Sequence, residues 1–197
     1  MNKLLIATHN PGKLREISQI LSTSDFPLVC LSLTEANIPQ DIAETGDTYA
    51  ANALLKAEFA AQTSGLPSLG DDSGLELDAL GGRPGLYSAR YAPTQPERWA
   101  KLLAELKDVP WEKRTACFRC VIALVAPGRE TQIVEGRCEG FIGFELKGTG
   151  GFGYDPLFYV PEFNCTMAEL DEDVKNRISH RGRAVLKAKE VLKEWSQ

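Results

Sequence analysis

Lys3-Leu4-Leu5-Ile6-Ala7-Thr8-His9-Asn10-Pro11-Gly12-Lys13-Leu14-Arg15-Glu16-Ile17-Ser18-Gln19-Ile20-Leu21 is the stretch that decides the fold class. Lys3 to Thr8 reads as a strand. Asn10 then stands at an N-cap position with Pro11 at N1, and Leu14, Ile17 and Leu21 follow at helical spacing. A strand running straight into a helix opens an α/β or α+β layer structure. The first N–H groups of such a helix have no intrahelical acceptor, so they form an anion site to which Lys13 adds a full charge. A capped turn with a solvated Lys13 fits the same residues. No Walker A loop, G-x-x-x-x-G-K-[ST], occurs in the chain.

Further along, a second strand is expected over Leu28 to Leu33, then a loop with Pro39 and Gly46. An Ala-rich helix from Tyr49 to Ser64, capped by Asp47 or Thr48, stops at Gly65 with Pro67 beyond. Trp99, Leu102, Leu103 and Leu106 mark a third helix. Thr115 to Val125 and Thr131 to Phe144 are long β-prone segments joined at Pro127-Gly128, the pattern of a hairpin. A Gly-rich loop from Gly148 to Gly153 leads to a strand at Leu157 to Val160. The chain closes in a helix with Val185, Leu186, Lys189 and Leu192 on one face. Helices at both ends of a mixed sheet, with no repeat or low-complexity linker, predict a single α/β domain over residues 1–197.

Composition bounds the function. The 197 residues are 43% hydrophobic and 25% charged, enough for a core without staples. No stretch approaches the roughly 20 apolar residues of a membrane span, and the start lacks a secretory apolar region, so a cytoplasmic protein with no membrane partner is expected. A net charge of −5 argues against broad nucleic-acid binding while leaving room for a small anion in a locally basic cleft. The five cysteines, an odd number scattered through strand-like sequence, suit reduced thiols. Cys117 and Cys120 form C-x-x-C, but on a strand a spacing of three puts them on opposite faces, against a redox or zinc pair.

Three further clusters carry chemistry. In Gly70-Asp71-Asp72-Ser73-Gly74 two adjacent carboxylates repel one another, and a tight turn holding them calls for a cation such as Mg²⁺; an exposed Asx turn is the alternative. Gly148, Gly150 and Gly153 match G-x-G-x-x-G but run into a strand rather than a helix, which excludes a dinucleotide fold. That loop carries Phe152 and Tyr154 for stacking on a base and Asp155 for accepting hydrogen bonds, or else it is a glycine corner with two core aromatics. Lys175, Arg177, His180, Arg181 and Arg183 form a basic cluster in which helical spacing would put Arg177 and Arg181 on one face; a solvated helix end is the plainer reading.

Taken in order, T-x-N-x-x-K at Thr8 to Lys13, E-T-G at Glu44 to Gly46, N-A-x-x-K-A at Asn52 to Ala57, D-D-S-G-L at Asp71 to Leu75, G-x-x-G-x-Y-S-A-R-Y at Gly82 to Tyr91, G-T-G-G-F-G-Y-D-P at Gly148 to Pro156 and S-H-R-G at Ser179 to Gly182 closely resemble the inosine/xanthosine triphosphate pyrophosphatases, the HAM1-like family. The resemblance implies a long central mixed sheet with flanking helices, forming two lobes around a cleft. It implies a homodimeric, Mg²⁺-dependent hydrolase converting ITP, dITP and XTP to monophosphate and pyrophosphate. Carried over by position, Asp72 would be general base and metal ligand, with Asp71 as support. The turn Thr8, His9, Asn10, Pro11, Gly12 and Lys13, with Lys56, would hold the triphosphate, and Ser73 would lie near the reacting phosphate. Phe152, Gly153, Tyr154, Asp155, Lys175, His180 and Arg181 would form the base and sugar pocket. Where relatives show two acids before T-G this chain has Ala43 and then Glu44, and where an acid precedes N-A it has Ala51. Glu44 is the expected second metal ligand, the alternative being that Asp72 and the phosphates hold the ion with water.

Selection among purines has a physical basis in the same pocket. Donors aimed at a 6-oxo group, such as Arg181 or backbone N–H groups of the Gly-rich loop, are left unsatisfied by adenine. Each such donor costs about 1 to 3 kcal/mol, so two supply roughly 10² to 10⁴ discrimination. No residue identifies itself as the one that rejects the 2-amino group of GTP.

Overall fold

The computed structural model describes residues 2–22, 26–38 and 42–196, which leaves Pro39 outside the described residues. In chain order the elements are β1 (Lys3–Ile6), α1 (Pro11–Leu21), β2 (Val29–Ser32), α2 (Tyr49–Ser64), β3 (Ser68–Leu77), β4 (Pro84–Gly85), α3 (Gln95–Glu105), β5 (Thr115–Val125), β6 (Gln132–Ile142), β7 (Phe158–Val160), β8 (Cys165–Thr166), α4 (Glu172–Ile178) and α5 (His180–Trp195), with short 3₁₀ turns between. Among the described residues eight strands form one sheet in the order β2-β1-β3-β5-β6-β7-β8, and β4 pairs with β3. The sheet is mixed, as expected: β1 runs parallel to β2 and β3, while β3–β4, β6–β7 and β7–β8 are antiparallel. No helix among the described residues is long and apolar enough to cross a membrane.

Two compact units share the chain. One comprises residues 1–72, 120–136 and 180–197, the other residues 73–119 and 137–179, so the boundaries fall inside β3, β5 and β6 and between α4 and α5. In the first unit the alternation of β1 sends Leu4 and Ile6 to one face and Leu5 and Ala7 to the other. Leu4 and Ile6 join Ile17 and Leu21 of α1, Leu69 of β3, Ile122 and Leu124 of β5, and Val185 and Leu192 of α5. Leu5 and Ala7 meet Leu33, Ile38 and Ala60 of α2. A strand buried on both faces explains the unbroken apolar run that opens the chain. In the second unit Leu75 and Leu77 of β3 pack with Leu102 and Leu106 of α3, Phe118 of β5, Ile142 of β6 and Phe158 of β7.

Caps mark the helix starts. Thr48, not Asp47, caps α2 by accepting from the Ala51 N–H, and Gly65 ends that helix in the left-handed region at φ +70°. Thr94 and Glu97 form a capping box on α3.

Three local expectations give way to tertiary context. The Asp-Asp-Ser-Gly turn is absent: Ser68 to Leu77 is one continuous strand, buried on both faces along most of its length. Arg177 and Arg181 do not share a helix face, since Ser179 takes an extended conformation between α4 and α5. Leu186, expected on the buried face of the last helix, is exposed.

Candidate functional site

The two central carboxylates belong to β3, and the strand pleat separates them. Successive side chains of a strand point to opposite faces, so Asp71 and Asp72 meet different neighbours although they are adjacent in sequence. Gly70, just before them, lets β3 approach α2: a Cβ there would fall 2.0 Å from the Ala53 carbonyl oxygen and 2.8 Å from the Ala57 nitrogen.

Asp72 faces Lys56 and Asn52, which sit one turn apart on α2 and both are buried. Lys56 Nζ donates to Asp72 Oδ1 at 3.0 Å and to Glu44 Oε1 at 2.8 Å. Asn52 Nδ2 approaches Asp72 Oδ2 at 3.3 Å, while Asn52 Oδ1 accepts from the Gly46 N–H at 2.8 Å and so ties the Glu44-Thr45-Gly46 segment to α2. Burial pushes the Asp72 carboxyl above its usual range; Lys56 pulls it down and Glu44 adds to the rise. For Lys56 burial opposes the charge, but Asp72 and Glu44 outweigh it and hold the ammonium above its usual value.

Asp71 is fully enclosed on the other side. Lys13 Nζ donates to Oδ1 at 2.5 Å, and Oδ2 accepts from Arg181 Nε at 2.9 Å and from the Cys120 thiol at 3.1 Å. Arg181 Nη1 reaches Glu16 Oε2 at 2.7 Å. Burial alone would raise the Asp71 carboxyl; Arg181 and Lys13 override it and hold the group well below the usual carboxylate range. Burial, reinforced by Asp71, keeps the Cys120 thiol well above its ordinary value and hence protonated. Asp71 is thus saturated by cations and a thiol, which suits a structural anchor for Lys13 rather than a metal ligand.

The β1–α1 turn differs from the bare anion site that its sequence suggests. Asn10 Oδ1 accepts from the Gly12 and Lys13 N–H groups at 2.9 and 3.1 Å, and Thr8 Oγ1 accepts from the Asn10 N–H at 3.1 Å. The cap therefore takes up two N–H groups expected to face an anion. His9 and Pro11 are exposed, and Gly12 is half-buried beside them. His180 begins α5 and is buried, as is Arg181, whose guanidinium is engaged by two carboxylates instead of projecting as an open donor.

Within the second unit the Gly-rich loop and α4 meet. Lys175 Nζ lies 2.6 Å from Asp155 Oδ2 and 5.2 Å from the centre of the Phe152 ring, and the Phe152 N–H donates to the same carboxylate oxygen at 2.8 Å. Tyr154 is buried, its hydroxyl donating to the Ser88 carbonyl at 3.0 Å. Gly153, at φ +64°, offers its carbonyl to Gln95 Nε2 at 3.0 Å and Trp99 Nε1 at 2.8 Å. Ser73 follows Asp72 on β3 and is half-buried.

Sequence reading missed Glu16, Asn52, Cys120, Gln95 and Trp99. Glu16 and Asn52 left a trace: Glu16 is a polar residue in helical register with apolar Ile20, and Asn52 opens the N-A-x-x-K-A motif four residues before Lys56. Cys120, Gln95 and Trp99 left none, because what recruits them is a partner distant in sequence.

Among the described residues no three His, Cys, Asp or Glu side chains are grouped to hold a metal ion. Two are enough for Mg²⁺, which keeps several waters and takes one or two carboxylates beside substrate phosphates. Asp72 and Glu44 both converge on the Lys56 ammonium, so their oxygens already lie around a single cation. That donor set fits the ion. Ala43 points to solvent and Glu44 inward, which makes Glu44 the acid placed to serve.

The model of the Ham1 family matches residues 4–191. A dITP/XTP pyrophosphatase of Desulforamulus reducens is 51% identical over 96% of this chain and 95% of its own length. That of Bacillus subtilis is 48% identical over 98% of both chains. Among solved structures, a HAM1 protein from Coxiella burnetii superposes with a TM-score of 0.87 at 44% identity, covering 98% of this chain and 100% of its own. With one family model spanning nearly every residue and such relatives matched end to end, the chain belongs to the Ham1 family.

Proposed function

We propose that this protein hydrolyses dITP, XTP and ITP to the nucleoside monophosphate and pyrophosphate, clearing deaminated purines from the nucleotide pool of the cytoplasm. The observation that carries it, in a chain of this family, is a buried carboxylate, Asp72, held beside Lys56 and Glu44 on the face of β3 opposite the Asp71–Lys13 pair. Asp72, its proton affinity raised by burial, is suited to accept a proton from the attacking water. The water oxygen bonds to phosphorus, the α–β anhydride breaks, and pyrophosphate leaves.

Lys13 and Lys56 are the cations offered to the phosphates, and the reaction is mostly positioning and charge stabilisation. Mg²⁺, held by Asp72 and Glu44, would neutralise phosphate charge and polarise the reacting group. Phe152 supplies a face for the base, and the Asp155–Lys175 pair supplies polar groups for the base edge or sugar. A homodimer belongs to the same proposal and is checked by sedimentation velocity.

The test is a product assay with ITP, XTP, dITP, ATP and GTP, with and without Mg²⁺, separating pyrophosphate from orthophosphate. Mg²⁺-dependent pyrophosphate release from ITP, XTP and dITP, with ATP and GTP nearly inert, is expected. Binding of ITP and XTP without any release would make the protein a nucleotide sensor instead.

A further inference from the structure

The Gly153 carbonyl of the aromatic loop meets two side-chain donors from a single helix. Gln95 and Trp99 are four apart at the start of α3, hence on one face, and both reach the Gly153 oxygen, at 3.0 and 2.8 Å. A carbonyl oxygen has two lone pairs, so this one is filled. The donors are themselves held. The Thr94–Glu97 capping box fixes the first turn, and Arg98 Nη1 donates to Gln95 Oε1 at 3.2 Å, turning the amide so that Nε2 faces Gly153. Arg98 is anchored in turn by Nε on the Ala92 carbonyl at 3.0 Å. The Trp99 ring packs against the apolar cluster of Leu102, Leu106 and Phe158.

Hydrogen-bond chemistry gives this arrangement a consequence for base choice. Inosine carries no exocyclic amino group; guanine adds a 2-amino donor and adenine has a 6-amino donor. A backbone carbonyl left open at Gly153, the residue after Phe152, would accept from such an amino group and reward the ordinary purines. With the oxygen occupied, and the planar peptide pinned by it, an amino group brought to Gly153 finds no free lone pair on that carbonyl.

We propose that Gln95 and Trp99 are specificity-determining positioning residues, which exclude aminopurines by capping the Gly153 carbonyl and fixing the conformation of the Phe152–Tyr154 loop. This rests on reading that loop as the base pocket. It supplies the rejection of the 2-amino group that no single residue of the sequence announced.

The test compares the parent with Trp99→Phe, which keeps the ring, with Gln95→Met, which keeps the length, and with the double variant. ITP and GTP, which differ only in the 2-amino group, are titrated into each protein by calorimetry without Mg²⁺, and thermal unfolding is followed in parallel. The ratio of the GTP to the ITP Kd is expected to fall by about tenfold in the double variant, the scale of one regained hydrogen bond. The ITP Kd should stay within about threefold and Tm within a few degrees, as befits loss of two modest hydrogen bonds.

An unchanged ratio in a stably folded double variant overturns the proposal. So does uniform weakening of both nucleotides with a lowered Tm, which is the mark of a purely structural contact. If the parent binds neither nucleotide, the base-pocket reading fails and takes this inference with it; if the parent prefers ITP and the variants keep that preference, this inference alone fails.

Discussion

Asp71 and Asp72 are neighbours with opposite employment. Asp72 is paired with a lysine that also serves Glu44, so it can exchange that partner for another cation; Asp71 is locked by Lys13, Arg181 and Cys120. Asp72→Asn is expected to cut pyrophosphate release by at least about 10²-fold, the usual contribution of a general base, while nucleotide binding by calorimetry persists. Unchanged turnover would remove Asp72 from the mechanism.

Asp71→Asn should act on stability. Breaking a buried ion pair costs about 3–5 kcal/mol, and the loss should be read by urea unfolding at neutral pH. Because the Asp71 carboxyl is held well below its unfolded value near 4, the unfolded chain binds the extra proton between the two values. The stabilisation is therefore complete above that unfolded value and is lost as pH falls through the depressed one, so the gap between wild type and Asp71→Asn should narrow in acid. A constant gap down to pH 2 would contradict this.

The elements carry these residues through close contacts that only small side chains allow. β3 lies against α2 at Gly70, where a methyl group would overlap the Ala53 carbonyl at 2.0 Å. Backbone cannot yield as a flexible side chain can, so Gly70→Ala is expected to destabilise by about 1–3 kcal/mol or more, measured as a lowered urea midpoint. The same displacement would shift Asp72 relative to Lys56 and lower activity beyond the loss of stability. An active variant of parental stability would show that the strand and helix can part without cost.

Much of this level was legible in the sequence. The boundaries of α2 followed from Thr48 and Gly65, and the start of α1 from Asn10 and Pro11. The strand through Asp71-Asp72-Ser73-Gly74 was not, because turn-forming residues outweigh strand propensity until neighbouring strands bury them.

For the molecule as a whole, the core of each unit is built from apolar packing away from Asp72 and Glu44, the carboxylates suited to Mg²⁺, which pair with Lys56. Chelation with EDTA should therefore abolish hydrolysis reversibly while leaving Tm unchanged; a marked fall in Tm would mean that a metal ion supports the fold. Within a chain of net charge −5, Lys13, Lys56 and Arg181 gather at the central carboxylates as a local group of cations.

Read alone, the sequence determined the α/β class, the capped helices and the family, because these depend on local periodicity, capping chemistry and several short motifs in register. Tertiary structure alone decided that adjacent carboxylates face different partners, that Arg181 serves Asp71 and Glu16, and that Gln95 and Trp99 cap a carbonyl more than fifty residues away. The physical reason is the same in each case: a strand's pleat and a distant hydrogen bond take their meaning from what packs against them, and sequence spacing does not encode those neighbours.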